Sequence, residues 1–109
     1  MATYLVKNRI KIRRQAGNDC DVVFNVPDVF QVAGTTFKFA VYDKTQPYRL
    51  VFEKTGTAIV ATGQRLEIVI NKADTLNKHG LYDWELEAVK NGKEVTIGMG
   101  DFELTKTRL

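Results

Sequence analysis

The feature that most constrains this chain is a strict alternation of apolar and acidic residues in its second half. One side of this run is apolar and the other is acidic: the first set is Tyr82, Trp84, Leu86 and Ala88, and the second is Asp83, Glu85 and Glu87. A period of two residues is the signature of a β-strand that is buried on one face only. We therefore expect Trp84, the only tryptophan, at the centre of a core.

Tyr82 stands at the start of this strand, directly after a predicted turn at Gly80. Glycine suits such a turn because it adopts a positive φ at little cost. In immunoglobulin-like β-sandwiches, a tyrosine at this place on strand F returns its hydroxyl to the preceding chain, an arrangement called the tyrosine corner. We predict the same link between Tyr82 and its turn.

Further runs with strand character recur along the chain and are separated by turn signals about every 8–12 residues, the spacing of sandwiches and barrels. The predicted strands cover residues 4–14, 20–26, 35–43, 48–54, 58–62, 65–71, 82–88 and 93–104. Together with the tyrosine corner, this pattern predicts an all-β fold, an immunoglobulin-like antiparallel β-sandwich of about seven to nine strands.

The apolar side of each run defines the predicted core. Its principal members are Phe24, Phe37, Phe39, Ile68, Tyr82, Trp84 and Leu86. We expect Phe39 to pack on Trp84, because an aromatic pair adds about 0.5–1.5 kcal/mol beyond the burial of its area.

Three local signals refine this picture. A single helical turn is predicted near residues 72–79, with Asp74 or Thr75 as its cap. Asn91-Gly92 predicts a two-residue hairpin turn of type I′. The apolar parity of the last strand reverses across residues 98–100, which predicts a β-bulge.

The length of 109 residues suits one domain with one core. Asn8 interrupts the apolar side of the first strand, so residues 1–8 are expected to form an N-terminal arm or an extension of that strand, 9–105 the sandwich, and 106–109 a frayed tail. No apolar run approaches the roughly 20 residues of a membrane helix. The N-terminus lacks the apolar region of a secretory signal, so we expect a chain that is made and kept in a cytoplasm.

The residues that carry catalysis are scarce. The chain has no serine, one histidine and one cysteine, and it lacks phosphate-binding and zinc-protease motifs. The acids Asp83, Glu85 and Glu87 would project side by side into water or pair with lysines of neighbouring strands, rather than form a glycosidase or calcium site. We therefore predict a protein that is not an enzyme and that carries no cofactor or metal.

Two groups of residues are candidates for binding a partner. The first strand carries a basic stripe that either deters edge-to-edge pairing or docks on an acidic partner. Exposed tyrosines either stack on sugars, together with Phe30, or form a protein interface, unless they cover neighbouring strands. The predicted partner-binding residues are Lys7, Arg9, Lys11, Arg13, Tyr42 and Tyr48. The net charge of +3 is only mildly basic and argues against nucleic acid as the partner.

Three stretches carry a resemblance to a known group of domains: NDCDVVFNV, VAGTTFKFAVYDK, and TGQRLEIVINKADTLNKHGLYDWELEAVKNGKEVTIGMGDFEL. Over about residues 9–104, the chain resembles small immunoglobulin-like β-sandwich domains of phage virion proteins, including N-terminal domains of baseplate and tail-fibre components. The resemblance implies a role in a virion. Such modules are usually fused to a longer fibre region, so a chain that ends at Leu109 is expected to be a stand-alone subunit or to join a separately encoded fibre.

The main hypothesis is therefore a structural adaptor or decoration subunit of a phage or phage-derived particle, in its tail, neck or capsid. Its partners would be other virion or tail proteins and copies of itself in a homo-oligomer, without a membrane. The protein would be made in the bacterial cytoplasm and found in the virion. The alternative hypothesis is a carbohydrate-binding β-sandwich module that uses Tyr42, Tyr48 or Phe30 as its stacking platform.

Overall fold

The alternating segments form eight β-strands in the computed structural model, which describes residues 11–26, 34–44, 49–62, 65–90 and 92–106. The strands are β1 (Ile12–Gln15), β2 (Cys20–Asn25), β3 (Thr36–Asp43), β4 (Leu50–Lys54), β5 (Ile59–Thr62), β6 (Arg65–Ile70), β7 (Gly80–Lys90) and β8 (Lys93–Thr105). A 3₁₀ turn, Gly56–Ala58, precedes β5, and one α-helical turn, α1 (Lys72–Thr75), follows β6.

The strands pair into a five-stranded sheet, β1-β8-β7-β3-β4, and a three-stranded sheet, β2-β6-β5. This arrangement confirms the predicted all-β sandwich. One pairing departs from an antiparallel pattern, because β1 runs parallel to β8, with Ile12 opposite Phe102. No hairpin joins β1 to β8, because the two strands lie at opposite ends of the chain, so a parallel pairing is open to them.

The two sheets enclose the side chain of Trp84, which is 1% exposed. Its ring centroid lies 5.9 Å from that of Phe39 on the same sheet and 5.0 Å from that of Phe24 on the opposite sheet. Phe37, Phe39, Ile68 and Leu86 are also buried, whereas Phe24 and Tyr82 are half-buried and pack against the core. The tryptophan thus joins both layers, as its central place on β7 leads one to expect.

The turn before β7 is tied down by the tyrosine that follows it. The Tyr82 hydroxyl donates a hydrogen bond to the backbone oxygen of His79 at 3.2 Å. Gly80 adopts a φ of +113°, which a residue with a Cβ would resist. The geometry is that of the tyrosine corner.

A β-bulge interrupts the pairing of the two longest strands. Leu86 lies opposite Gly98 and Glu87 opposite Thr96, so Ile97 has no partner on β7. Ile97 and Gly98 are both buried, because the extra residue reverses the side of β8 that faces the core. The predicted parity reversal is therefore present, one residue before the interval 98–100.

The helical turn α1 lies inside the predicted interval 72–79, but it begins before Asp74 and Thr75, the two residues that were predicted to cap it. Asn71 is the N-cap, and its backbone N–H donates to Oδ2 of Asp74 at 2.8 Å. The same carboxylate oxygen lies 2.6 Å from Nζ of Lys54, which is buried on the inward side of β4. Asp74 therefore links α1 to the other sheet.

Candidate functional site

The structure describes only part of the basic stripe predicted for partner binding. Lys7, Arg9 and Tyr48 lie outside the described residues, as does Phe30. Lys11 and Arg13 are exposed, and both pair with Glu103 of β8, at 3.1 and 3.4 Å from Oε1. The parallel pairing of β1 with β8 thus places an acid beside these two cations.

The outer face of the five-stranded sheet is rich in carboxylates. Its acids come from three strands: Glu53 on β4; Asp83, Glu85 and Glu87 on β7; and Glu94, Asp101 and Glu103 on β8. They project outward because each alternates with a residue that faces the core.

Two lysines bridge acids on this face. Nζ of Lys44 lies 2.6 Å from Asp83 and 3.0 Å from Asp101, and the hydrogen bonds to these two carboxylates raise the pKa of Lys44. Nζ of Lys38 lies 3.8 Å from Glu87 and 3.7 Å from Glu94. The charge of Glu87 is the main cause of the raised pKa of Lys38.

Tyr42 lies on the same face and is half-buried between β7 and β4, opposite Asp83 and Leu50. Burial raises the pKa of its phenol, and the negative charge of Glu85 raises it further. The hydroxyl is therefore a neutral donor and acceptor at physiological pH. Of the aromatic residues that the structure describes, Tyr42 is the one whose ring faces away from the core.

The position of the Tyr42 ring follows from its neighbours. Its phenol interacts electrostatically with Glu85, Lys38 and Glu53, which lie level with or beyond Ala40 along β3. Ala40, which lies two residues before Tyr42 on the same outer face, is only 1% exposed, so neighbouring side chains cover it. Tyr42 itself is half-buried, so part of its side chain is open to solvent.

Together these residues form a shallow site, which we call the Tyr42 face: Lys38, Ala40, Tyr42, Glu53 and Glu85. It presents a flat apolar ring bordered by two carboxylates, one ammonium group and a phenol hydroxyl. Such a surface suits a neutral, hydroxyl-rich ligand, because the ring contacts C–H groups while the charged groups accept or donate strong hydrogen bonds.

The sequence identified Tyr42 as a candidate but not the residues around it. Leu50–Lys54 shows no clear alternation, and the pairing of β3 with β4 shifts register between Val41 and Tyr42. Only this register places Glu53 opposite Ala40. Glu53 and Glu85 come near Tyr42 only through the pairing of β3 with its two neighbours, and the sequence alone does not give that pairing.

The described ranges contain neither a cluster of metal ligands nor a membrane-spanning helix. Among these residues, no group of three or more histidine, cysteine, aspartate or glutamate side chains is placed to hold a metal ion. No described helix combines the length and apolar character that are needed to cross a bilayer.

No protein-family model and no curated protein sequence matches the chain. Solved structures with a similar fold include the Group B Streptococcus pullulanase SAP, at 14% identity and a TM-score of 0.57 over 87% of this chain. The same pullulanase in complex with maltotetraose is 16% identical, with a TM-score of 0.55 over 87% of this chain. The catalytic module of the multi-modular glycogen-degrading pneumococcal virulence factor SpuA is 17% identical, with a TM-score of 0.54 over 86% of this chain.

The matched region is a small part of each of these proteins, since the chain spans 11% of the length of the two pullulanase structures and 13% of the SpuA module. At such low identity the likeness establishes the β-sandwich fold, and fold alone does not determine function. None of these structures is a phage protein, so the adaptor hypothesis gains no support from them.

Proposed function

We propose that this chain is a carbohydrate-binding β-sandwich module that takes a neutral glucan on the Tyr42 face. The observation that carries the proposal is the half-buried Tyr42, which lies on the outer face of the sheet beside Ala40, Glu53 and Glu85. The protein would bind the sugar without cleaving it, and it would need no cofactor.

The chemistry of this face agrees with a sugar as ligand. A pyranose ring has an apolar face of C–H groups, which packs against an aromatic ring, and a rim of hydroxyls, which bind charged acceptors and donors. Glu53 and Glu85 accept from hydroxyls, whereas Lys38 donates to them. The carboxylates of Glu87 and Glu94 hold the ammonium group of Lys38, which lowers the entropy lost when this group binds a hydroxyl.

The structural comparisons supply a second, independent support. The same sandwich forms part of a pullulanase that has been solved with maltotetraose and of a glycogen-degrading factor. Maltotetraose is therefore the first ligand to test. The fold itself does not require this function, so the proposal depends on the Tyr42 face.

The test is titration calorimetry with maltotetraose, preceded by a glycan array that samples other sugars. We expect binding by the unchanged protein, a loss of at least about tenfold in affinity for Tyr42→Ala, and a smaller loss for Tyr42→Phe, which keeps the ring. Removal of a stacked ring and its hydrogen bond is worth about 1.5 kcal/mol or more, which corresponds to that factor. Tyr82→Phe is the matched control, because the Tyr82 hydroxyl bonds to the turn before β7 and lies off this face.

The proposal would be overturned if no glycan bound on the array or in calorimetry. It would also be overturned if Tyr42→Ala left glycan binding unchanged. The role of a virion adaptor, with its partners and location in a particle, stays a prediction. Absence of glycan binding together with recovery of the chain in purified particles would favour it.

A further inference from the structure

A second concave site lies at the end of the sandwich where β7 begins. It is a cleft of about 410 Å³, formed by the turn between β1 and β2, the loop after α1 and the end of β8. The described residues that line it are Ala16, Gly17, Leu76, Asn77, Lys78, His79 and Lys106. This volume is within the range of about 300–1,000 Å³ that is typical of ligand sites.

The frame of the cleft is fixed by hydrogen bonds to a buried threonine. Thr75 is 1% exposed, and its Oγ1 accepts from the backbone N–H of Gly17 at 2.9 Å. Its backbone oxygen accepts from the N–H of Lys78 at 3.0 Å. The Tyr82 hydroxyl donates a hydrogen bond to the backbone oxygen of His79. The two loops are thus joined to each other and to β7, so the cleft exists before any ligand binds.

The loop also has a distinct backbone shape. Asn77 adopts a φ of +62°, a left-handed conformation that asparagine tolerates better than most residues with a side chain. It follows Leu76, the C-cap residue of α1. Leu76 is 54% exposed beside the cleft instead of buried in the core.

The charge of the cleft is one-sided. Among the residues that the structure describes, Lys78, His79 and Lys106 line it, and no acidic side chain does. Two acids of the adjoining segments, Asp19 and Asp74, are engaged elsewhere. Asp19 accepts from the backbone N–H of Lys72 at 2.7 Å, and Asp74 pairs with Lys54.

We propose that this cleft binds an acidic peptide segment of a partner protein. A carboxylate would lie between Lys78 and Lys106, with His79 as a further hydrogen-bonding group, and an adjacent apolar side chain would contact Leu76. The choice of occupant follows from charge complementarity, because two ammonium groups and an exposed leucine in one cleft match an acid beside an apolar residue. The Tyr42 face carries the opposite charge and takes no part, so the inference is independent of sugar binding.

The test is an NMR titration of the ¹⁵N-labelled full chain with a blocked tetrapeptide that has a leucine beside a glutamate. The matched probe has glutamine in place of glutamate, and a third sample contains sodium acetate alone. We expect the glutamate peptide to shift the amide signals of residues 16–17, 76–79 and 106, and the other two probes to bind at least about fivefold more weakly. Raising NaCl from about 50 to 500 mM should weaken the binding severalfold, since these charges are exposed and easily screened.

The charge-reversed variants Lys78→Glu and Lys106→Glu should each lower the affinity by about fivefold or more. Lys93→Glu changes the net charge equally at the opposite end of the sandwich and should leave the affinity unchanged. Equal binding of the glutamine peptide, equal binding of acetate, or a loss in Lys93→Glu that matches the cleft variants would overturn the proposal. Each variant is first checked for native signals from the core, so that a loss of folding is not read as a loss of binding.

Discussion

The ion pair between Lys54 and Asp74 should contribute measurably to stability, although it joins two charged side chains at the margin of the core. The side chains are 10% and 20% exposed, and Nζ lies 2.6 Å from Oδ2. The loss of one partner costs about 3–5 kcal/mol for a buried pair, whereas an exposed pair is worth about 0.2–1 kcal/mol. Since this pair is buried but reached by water on the Asp74 side, we place it between these limits.

The two single variants should differ in cost. Lys54→Met leaves a carboxylate that still accepts from the N–H of Asn71, and we expect a loss of about 1.5–2.5 kcal/mol in the free energy of unfolding. Asp74→Asn leaves a buried ammonium group without its partner, and we expect a loss of about 2–3 kcal/mol. The double variant should lose at least about 1 kcal/mol less than the sum of the two, because it removes both charges.

Urea unfolding of the four proteins, followed by the fluorescence of Trp84, gives these values directly. The single tryptophan is 1% exposed in the folded chain and reports the opening of the two sheets. Lys93→Met, which removes an exposed lysine from the β7–β8 hairpin, should change stability by no more than about 0.5 kcal/mol. A coupling energy below about 0.5 kcal/mol would refute the reasoning, because it would mean that the two charges contribute to stability independently of each other. The coupling should persist in about 0.5 M NaCl, where an exposed pair would be screened.

Three further predictions concern residues outside this pair. Tyr82→Phe should lower the free energy of unfolding by about 1 kcal/mol in the same urea assay, because it removes the hydrogen bond to His79, and an unchanged midpoint would speak against the tyrosine corner. Burial raises the pKa of the Cys20 thiol, so iodoacetamide should modify it more slowly at pH 8 than a cysteine in a short peptide; an equal rate would contradict this. A hydrogen bond between the side chains of Asp21 and Glu67 raises the pKa of Glu67, and the negative charge of Asp21 raises it further. Ionisation of Glu67 therefore costs stability as the pH rises through that pKa. Glu67→Gln should stabilise the protein at pH 7, with no gain below the unfolded-state pKa of about 4.3; a gain that persists at low pH would point to another cause.

Local patterns of the sequence were enough to predict the strands and their inward sides. The alternation after residue 81 places Trp84 between the sheets, because successive side chains of a strand point to opposite faces and the apolar face packs on the other sheet. Gly80 and Tyr82 predict the corner, and the reversal of parity near Gly98 predicts the bulge, since each signal involves residues close in the chain. The helical turn lies in its predicted interval, but its N-cap is Asn71 and not Asp74 or Thr75.

Pairing between strands was decided only by the tertiary structure. Three features depend on which residues of distant strands lie opposite one another. They are the parallel partner of β1, the inward position of Lys54 and the place of Ala40 between Glu53 and Glu85. A shift of one residue in register moves every side chain of a strand to the other face, and the weakly alternating Leu50–Lys54 leaves that register open. The sequence by itself therefore determined the all-β class and its aromatic core. The Tyr42 face and the cationic cleft exist because long-range pairing brings together segments that no local pattern connects.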